Sequence, residues 1–338
     1  MKSICLKNPG EIEVTELSTP IPSAGEALIK VKSVGICGSD IGAFRGINPM
    51  ISYPRVLGHE VAGEIVSIPN NKKGLKPGDR VILDPYIYCG KCYPCSLGRT
   101  NCCVNLKVVG IHADGGMAEY ITHPADMLVK APSSLSWELI PLAEPLVIAL
   151  HSLNRAKLSA GEHIAITGAG PIGLLTALSA IAYGAIPILI DPLAQRLEKA
   201  REMGVKHTIH VGSEDVLATI TNITDGRLAE VVVEASGAGS AIVSAIEIVC
   251  HAGRVVFVGW PKSDTPIPTD KITRKELDVL GSRNGVGNFD EAIEMIESGK
   301  VDVRGILTKT VSLDEMPQTI REIDANPENS MKIVGVFE

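Results

Sequence analysis

The chain carries eight cysteines, and five of them crowd into one run of 16 residues, YCGKCYPCSLGRTNCC: Cys89, Cys92, Cys95, Cys102 and Cys103. Spacing of the C-x2-C-x2-C kind lets three thiolates converge on one ion from a single tight loop, and a fourth must come from Cys102 or Cys103. Four thiolates around a tetrahedral ion leave no position for substrate, so such a site holds a lobe together rather than doing chemistry. Ferredoxin-type iron–sulfur runs share the spacing, and a redox disulfide would use the same residues. Here Cys103 precedes Val104 rather than a proline, and no second cluster motif occurs, which favours zinc. The spacing does not separate Cys102 from Cys103.

A second set is quieter. Cys37 lies in GICGSD, and His59 and Glu60 lie in GHEVAG. His59–Glu60 does not continue as H-E-x-x-H, so the helical metalloprotease pattern is excluded. A thiolate, an imidazole and a carboxylate suit a catalytic zinc with one open position. A third motif, ITGAGPIG, sets Gly168, Gly170 and Gly173 as G-x-G-x-x-G, with Pro171 and Ile172 between the last two glycines. Gly168 allows the tight turn, Gly170 lets backbone approach a pyrophosphate, and Gly173 allows close helix–strand packing. Asp191 ends the next apolar run, ILID, 18 residues after Gly173. A carboxylate there accepts from an adenosine ribose and repels a 2′-phosphate, which favours NAD over NADP. Arg196 follows five residues later, on the expected adenine side.

These motifs need two kinds of scaffold. Up to about residue 145 short β-type runs such as EALIKVKSVGIC, HEVAGEIVSI and DRVILDPYI alternate with Gly/Pro/Asn turns, the pattern of a small barrel or sandwich. From about 150, apolar strands (EHIAITGAG, IPILIDP, AEVVVEASG, GRVVFVG) alternate with helical patterns (IGLLTALSAIAYG, AQRLEKAREMG), which predicts a parallel, doubly wound α/β sheet. After Arg283 come a helix, a strand-like KTVSL, another helix and a last strand, KIVGVF. Periodicity leaves open whether that tail closes the second sheet or returns to the first domain.

Length and composition agree. With 338 residues, two domains are expected, and 45% hydrophobic content builds ordinary cores. A net charge of −7 argues against nucleic acid as a partner. Residues 164–190 are free of charge, but their glycines and prolines fall where turns belong, so no membrane span is expected. The opening MKSICLKNPGEIEV has no apolar signal core, and the expectation is a cytoplasmic protein, where clustered cysteines act as thiolate ligands.

Taken together, GICGSD, YPRVLGHEVAGEIV, GDRV, the C-x2-C-x2-C-x7-C lobe, LAEPL and TGAGPIG occur in the order of the medium-chain, zinc-dependent dehydrogenase family, which the chain resembles over essentially its whole length. The resemblance implies a GroES-like β-rich catalytic domain (1–146) with a structural zinc lobe at about 85–105. It further implies a Rossmann NAD-binding domain (147–283) and a C-terminal segment (284–338) returning to the catalytic domain. It also implies roles: Cys37, His59 and Glu60 as catalytic-zinc ligands, and Glu144 of LAEPL as a second glutamate reaching the ion directly or through water. By the same pattern Cys103 is the fourth ligand of the structural zinc and Ser39 the first hydroxyl of the proton relay. One departure stands out: Gly42 occupies the usual relay-histidine position.

The implied activity is hydride transfer from a secondary alcohol of a polyol or sugar acid to NAD. SYPRVLGHE, GRTNCC, VVGIHADGG and GSRNG most resemble the sugar-acid and polyol branch, including galactonate 5-dehydrogenase-type enzymes. Arg283, matching a substrate-facing arginine of sorbitol dehydrogenases, Arg45 and His112 are candidate substrate contacts, an arginine fork being suited to a carboxylate. L-Threonine 3-dehydrogenase shares every zinc motif and is the rival activity. A cofactor-binding regulatory protein without turnover is the rival class, favoured only by Gly42. The family suggests a homo-oligomer, a tetramer or dimer.

Overall fold

A computed structural model describes residues 1–337. Ten strands come first: β1 (Lys2–Asn8), β2 (Glu11–Glu16), β3 (Glu26–Ile36), β4 (Arg55–Val56), β5 (Glu60–Ser67), β6 (Arg80–Leu83), β7 (Tyr86–Ile87), β8 (Lys107–Val108), β9 (Tyr120–Pro124) and β10 (Leu128–Lys130). In β3 the alternation is visible in the burial: Ala27, Ile29 and Val31 are buried while Leu28, Lys30 and Lys32 are half-exposed, the period-two pattern of a strand covered on one face. From Ser33 to Ile36 every residue is buried. β5 pairs antiparallel with β3 in a register that sets Gly35 opposite Glu60.

The second stretch holds β11 (His163–Thr167), β12 (Ile186–Asp191), β13 (His207–His210), β14 (Ala229–Glu234), β15 (Val249–Phe257) and β16 (Asp278–Gly281). They form one sheet in the order β13-β12-β11-β14-β15-β16 with every pairing parallel. The central strands are apolar without alternation because helices such as Pro171–Ala182 and Gly239–Ile248 bury both faces. This is the doubly wound α/β sheet. The charge-free run 164–190 becomes β11, a glycine turn, a helix and β12, and among the described residues no helix is long and apolar enough to cross a membrane.

In the tail, β17 (Leu307–Val311) pairs parallel with β18 (Lys332–Val336), and β18 pairs antiparallel with β3, Ile333 opposite Ile36. The last strand therefore completes the first sheet, order β10-β6-β5-β3-β18-β17 with β9 also on β3. Two compact units result: Met1–Glu144 with Phe289–Glu297 and the segment from Ile306 onward, and Pro145–Asn288 with Ser298–Gly305. The first is built on a core that includes Ile4, Ile29, Val34, Leu57, Val61 and Ile333, the second on one that includes Ile188, Ile209, Val232 and Ile246.

Candidate active site and metal centres

Cys37 is the residue between the end of β3 and the helix Gly38–Phe44, and its N–H donates to Asp40 Oδ2 at 2.9 Å. The other Asp40 oxygen accepts weakly from Gly58 N–H at 3.4 Å and lies 3.9 Å from His59 Nδ1. Fully buried Asp40 thus ties the Cys37 turn to the His59 turn. Gly58 has φ +95, and a Cβ there would stand 2.8 Å from Val34 Cγ2, so glycine is needed to bring His59 round. Gly35 serves differently, since a Cβ on it would overlap Glu60 Oε2 at 1.8 Å. The missing side chain is the space into which Glu60 folds.

The ligand atoms of Cys37, His59 and Glu60 lie within 4.8 Å of one another. His59 is 5% exposed and Glu60 0%, and His59 Nδ1, Glu60 Oε2, Glu144 Oε2 and Ser39 Oγ are buried atoms without a hydrogen-bond partner among the described residues. Buried polar atoms are rarely left so, and those on His59 and Glu60, which share one ligand group with Cys37, suit a cation. Electrostatics agree. Burial alone would lower the His59 pKa, but the Cys37, Asp40 and Glu144 charges override it and carry it well above the ordinary value. Burial raises Glu144 to about 7, with Glu60 adding to the shift and His59 opposing it. An anionic pocket that draws a proton onto its imidazole suits a divalent ion, and its S/N/O donor set suits zinc.

Glu144, in the first turn of the helix Ala143–Ala156, stands outside the 4.8 Å group. Two partners that sequence reasoning missed hold the carboxylates. The Tyr86 hydroxyl, buried at the start of β7, donates to Glu144 Oε1; Lys332 Nζ, buried in β18, donates to Glu60 Oε1 and to the Ile36 carbonyl at 3.3 Å. Burial and the Glu144 charge push the Tyr86 hydroxyl well above the usual range, so it stays a donor. Each carboxylate is therefore pinned through one oxygen and keeps the other without a partner. A charged residue inside the apolar run KIVGV was the one available signal for Lys332; Tyr86 had none.

The cysteine lobe forms a separate centre. The sulfurs of Cys89, Cys92, Cys95 and Cys103 lie within 4.8 Å of one another, and Cys102 is not in the group. Cys103 Sγ accepts from the N–H groups of Cys89 at 3.3 Å and Asn105 at 3.4 Å. Backbone N–H groups, that of Lys91 first, lower Cys89 to about 6, whereas burial pushes Cys95 up to about 12. Four converging sulfurs with amide donors around them fit a closed zinc–thiolate site.

In the second unit, Gly168 has φ +98, and a Cβ on Gly173 would overlap the Gly168 carbonyl oxygen at 1.7 Å. Pro171 opens the helix, where a missing N–H costs nothing, and Ile172 follows it. The one atom within 4 Å of a Gly170 Cβ would be Arg196 Nη1 at 3.9 Å, so the backbone there is open to a ligand with a guanidinium beside it. Arg196 Nε is buried without a hydrogen-bond partner among the described residues. Asp191 accepts from Ala169 N–H at 2.6 Å and Leu193 N–H at 2.8 Å, one bond on each oxygen, which leaves lone pairs for ribose hydroxyls. These residues fit a dinucleotide.

The three candidate substrate contacts are placed less tellingly. The Arg45 guanidinium donates to the Asp324 carboxylate and, at 2.9 Å, to the Asp324 carbonyl, so its fork is already taken. His112 Nδ1 accepts from Val108 N–H at 3.0 Å. Arg283 is half-buried, two residues beyond β16. At Gly42 the nearest atom to a Cβ would be Ile47 Cγ1 at 3.9 Å, so a side chain is absent there without anything filling its place closely.

A β-rich unit with a Cys–His–Glu metal set, joined in one chain to a parallel sheet with a dinucleotide turn, defines an oxidoreductase of the zinc-type alcohol dehydrogenase class. Residues 23–133 match the alcohol dehydrogenase GroES-like domain, and residues 171–298 the zinc-binding dehydrogenase domain. The chain belongs to the medium-chain, zinc-type alcohol dehydrogenase family. It is 51% identical to an uncharacterized zinc-type alcohol dehydrogenase-like protein of Haemophilus influenzae, covering 100% of this chain and 99% of the other. It is 36% identical to the L-galactonate-5-dehydrogenase of Escherichia coli, again over 100% and 99%. Among solved structures, an alcohol dehydrogenase of Escherichia coli CFT073 complexed with NADH superposes with a TM-score of 0.93 at 32% identity, covering 100% of this chain and 99% of that one.

Proposed function

We propose that the chain is an NAD-dependent dehydrogenase that oxidises a secondary alcohol of a polyol or sugar acid to the ketone, with one catalytic and one structural zinc. The observation that carries this reading is the convergence of Cys37, His59 and Glu60 within 4.8 Å, with a buried unpartnered oxygen on Glu60 and another on Glu144, whose charge acts on His59. A structural site needs no such spare acceptors. Cys37, His59 and Glu60 would hold the catalytic ion, and Cys89, Cys92, Cys95 and Cys103 the structural one. When bound, the catalytic zinc supplies Lewis acidity that lowers the pKa of an alcohol. NAD supplies the hydride acceptor.

The protein's own residues do the rest. Asp40 holds the Cys37 and His59 turns in place, and Lys332 and Tyr86 hold Glu60 and Glu144 each by one oxygen. Ser39 takes the alcohol proton first. With Gly42 in place of a second relay group, the proton would then leave through water beside Glu144, whose carboxyl is raised to about 7 by burial. Gly168, Gly170, Pro171, Ile172 and Gly173 would cradle the pyrophosphate, Asp191 would accept from the adenosine ribose, and Arg196 would flank the adenine. The kinship with L-galactonate-5-dehydrogenase supports a sugar acid as substrate. The Arg45 guanidinium is engaged by Asp324, which speaks against it as the contact to a substrate carboxylate. The test is NAD reduction followed at the NADH absorbance over galactonate, gulonate, idonate, common polyols and L-threonine. Turnover of an aldonate or polyol is expected; turnover of threonine alone would overturn the substrate assignment.

A further inference from the structure

One buried carboxylate is used by none of the chemistry above. Glu234 is the last residue of β14 and is 0% exposed. It stands opposite Thr167 of β11, the residue just before the glycine turn. Its Oε1 accepts from Ser236 N–H at 2.8 Å, Gly237 N–H at 2.9 Å, the Ser236 hydroxyl and, at 3.5 Å, the Thr167 hydroxyl. Its Oε2 is buried and has no hydrogen-bond partner among the described residues. Its backbone carbonyl accepts from Val258 and Gly259 N–H at 2.8 and 3.0 Å.

Three turns meet at this residue. A Cβ on Gly168 would stand 3.0 Å from Ser236 Cβ, and one on Gly237, where φ is +69, would stand 2.5 Å from the Trp260 carbonyl oxygen. A Cβ on Gly259 would stand 2.7 Å from Glu234 Oε2. Glycines thus let the turns after β11, β14 and β15 close over one carboxylate whose hydrogen-bond partners include no cationic side chain. A buried carboxylate without a cation is costly, and a cationic ligand nearby would relieve it.

Topology says which part of a ligand comes near. In a doubly wound sheet a dinucleotide lies across the carboxyl ends of the strands where their order reverses. Here β11 is central, β12 on one side ends in Asp191, and β14 on the other ends in Glu234. With the adenosine half on the Asp191 side, the nicotinamide half falls on the Glu234 side. The oxidised ring is a cation and the reduced ring is neutral.

We propose that Glu234 is a fixed negative charge that biases this site toward the oxidised dinucleotide, in addition to tying the turns together. The proposal rests on the reading of the glycine turn as a dinucleotide site. Its test is the binding of NAD+, NADH and ADP-ribose, which lacks the nicotinamide, to wild type and Glu234→Gln, by titration calorimetry. Gln keeps the Oε1 acceptor and removes the charge. We expect NAD+ affinity to fall about tenfold relative to NADH, with ADP-ribose changed by less than about twofold. A parallel fall of all three ligands would leave only a structural role and overturn the proposal, as would no change in any. If Glu234→Gln does not fold, Glu234→Asp, which draws the charge back by one methylene, must shift the NAD+/NADH ratio in the same direction; an unmoved ratio overturns it. A wild type that binds none of the three overturns the dinucleotide reading itself, and this inference with it.

Discussion

Replacing Lys332 by Met in the metal-free protein should destabilise the first unit severely. Lys332 is 3% exposed and Glu60 0%, so neither charge is screened by water, and the ammonium is the one hydrogen-bond partner of Glu60 Oε1 among the described residues. Removing one member of a buried pair strands the other, at a cost of about 3–5 kcal/mol. For a unit of this size that corresponds to a fall in Tm of roughly 6–20 °C. The loss should be worse here than for an isolated pair, because Glu60 also faces the carboxyl of Glu144, whose raised pKa it helps to cause. A double variant and a zinc addition separate charge from packing. Glu60→Gln combined with Lys332→Met should recover most of the loss, since neutralising both partners costs little. Zinc added to Lys332→Met should raise its Tm more than it raises that of wild type, because the ion replaces the missing positive charge. Urea and thermal unfolding of wild type, the two single variants and the double variant give the cycle. A Lys332→Met loss below about 1 kcal/mol, or a double variant as unstable as the single one, would show that the Lys332 charge does not hold Glu60 in this way.

Other expectations are shorter. Asp191→Ala should relax the proposed preference for NAD over NADP, since the ribose would lose its acceptor and a 2′-phosphate its repulsion; an unchanged ratio of the two kcat/KM values removes Asp191 from the ribose. Cys103→Ser should release the structural zinc and destabilise the lobe by several kcal/mol, an order typical of lost metal sites, whereas Cys102→Ser should retain it; zinc analysis and Tm distinguish the two. Burial lowers His123 to about 4, so the unfolded chain takes up a proton below its ordinary 6.5 while the folded chain does not until about 4. Stability from that group is therefore lost as pH falls from 6.5 to 4, by about 3 kcal/mol. Burial raises Asp84 to about 6, which works the other way below that pH and largely offsets it in the wild type. His123→Gln should accordingly gain about 3 kcal/mol relative to wild type over the same interval; parallel pH–stability profiles would contradict this.

What was legible in the chain depended on how far apart the partners lie. The strands HIAIT, IPILID and AEVVVE announced themselves by apolar runs ending in Thr, Asp and Glu, and they are β11, β12 and β14. The cysteine lobe was visible as residue types at local spacing, whereas Cys37 was joined to His59 and Glu60, and Cys103 preferred over Cys102, only by resemblance; in the fold, Cys103 is the one that joins the other three sulfurs. The tail was ambiguous because KIVGV gains its meaning only by pairing with β3, about as far from it as the chain allows. The same reason hid the residues that hold the carboxylates. Lys332 and Glu60 are 272 positions apart and Tyr86 and Glu144 are 58 apart, so no window over the sequence contains either pair. Gly35 was equally mute: its glycine is explained by the Glu60 side chain across the strand pair, not by any turn of its own.

Cys37, His59 and Glu60 are proposed to form an open, catalytic zinc site distinct from the cysteine lobe. Zinc content and NAD-linked alcohol oxidation measured together on wild type and Cys37→Ser test it directly. About two zinc ions per chain are expected in wild type and about one in Cys37→Ser, with turnover abolished and the variant still folded. One ion per chain in wild type, or a Cys37→Ser enzyme that still turns over, would contradict it.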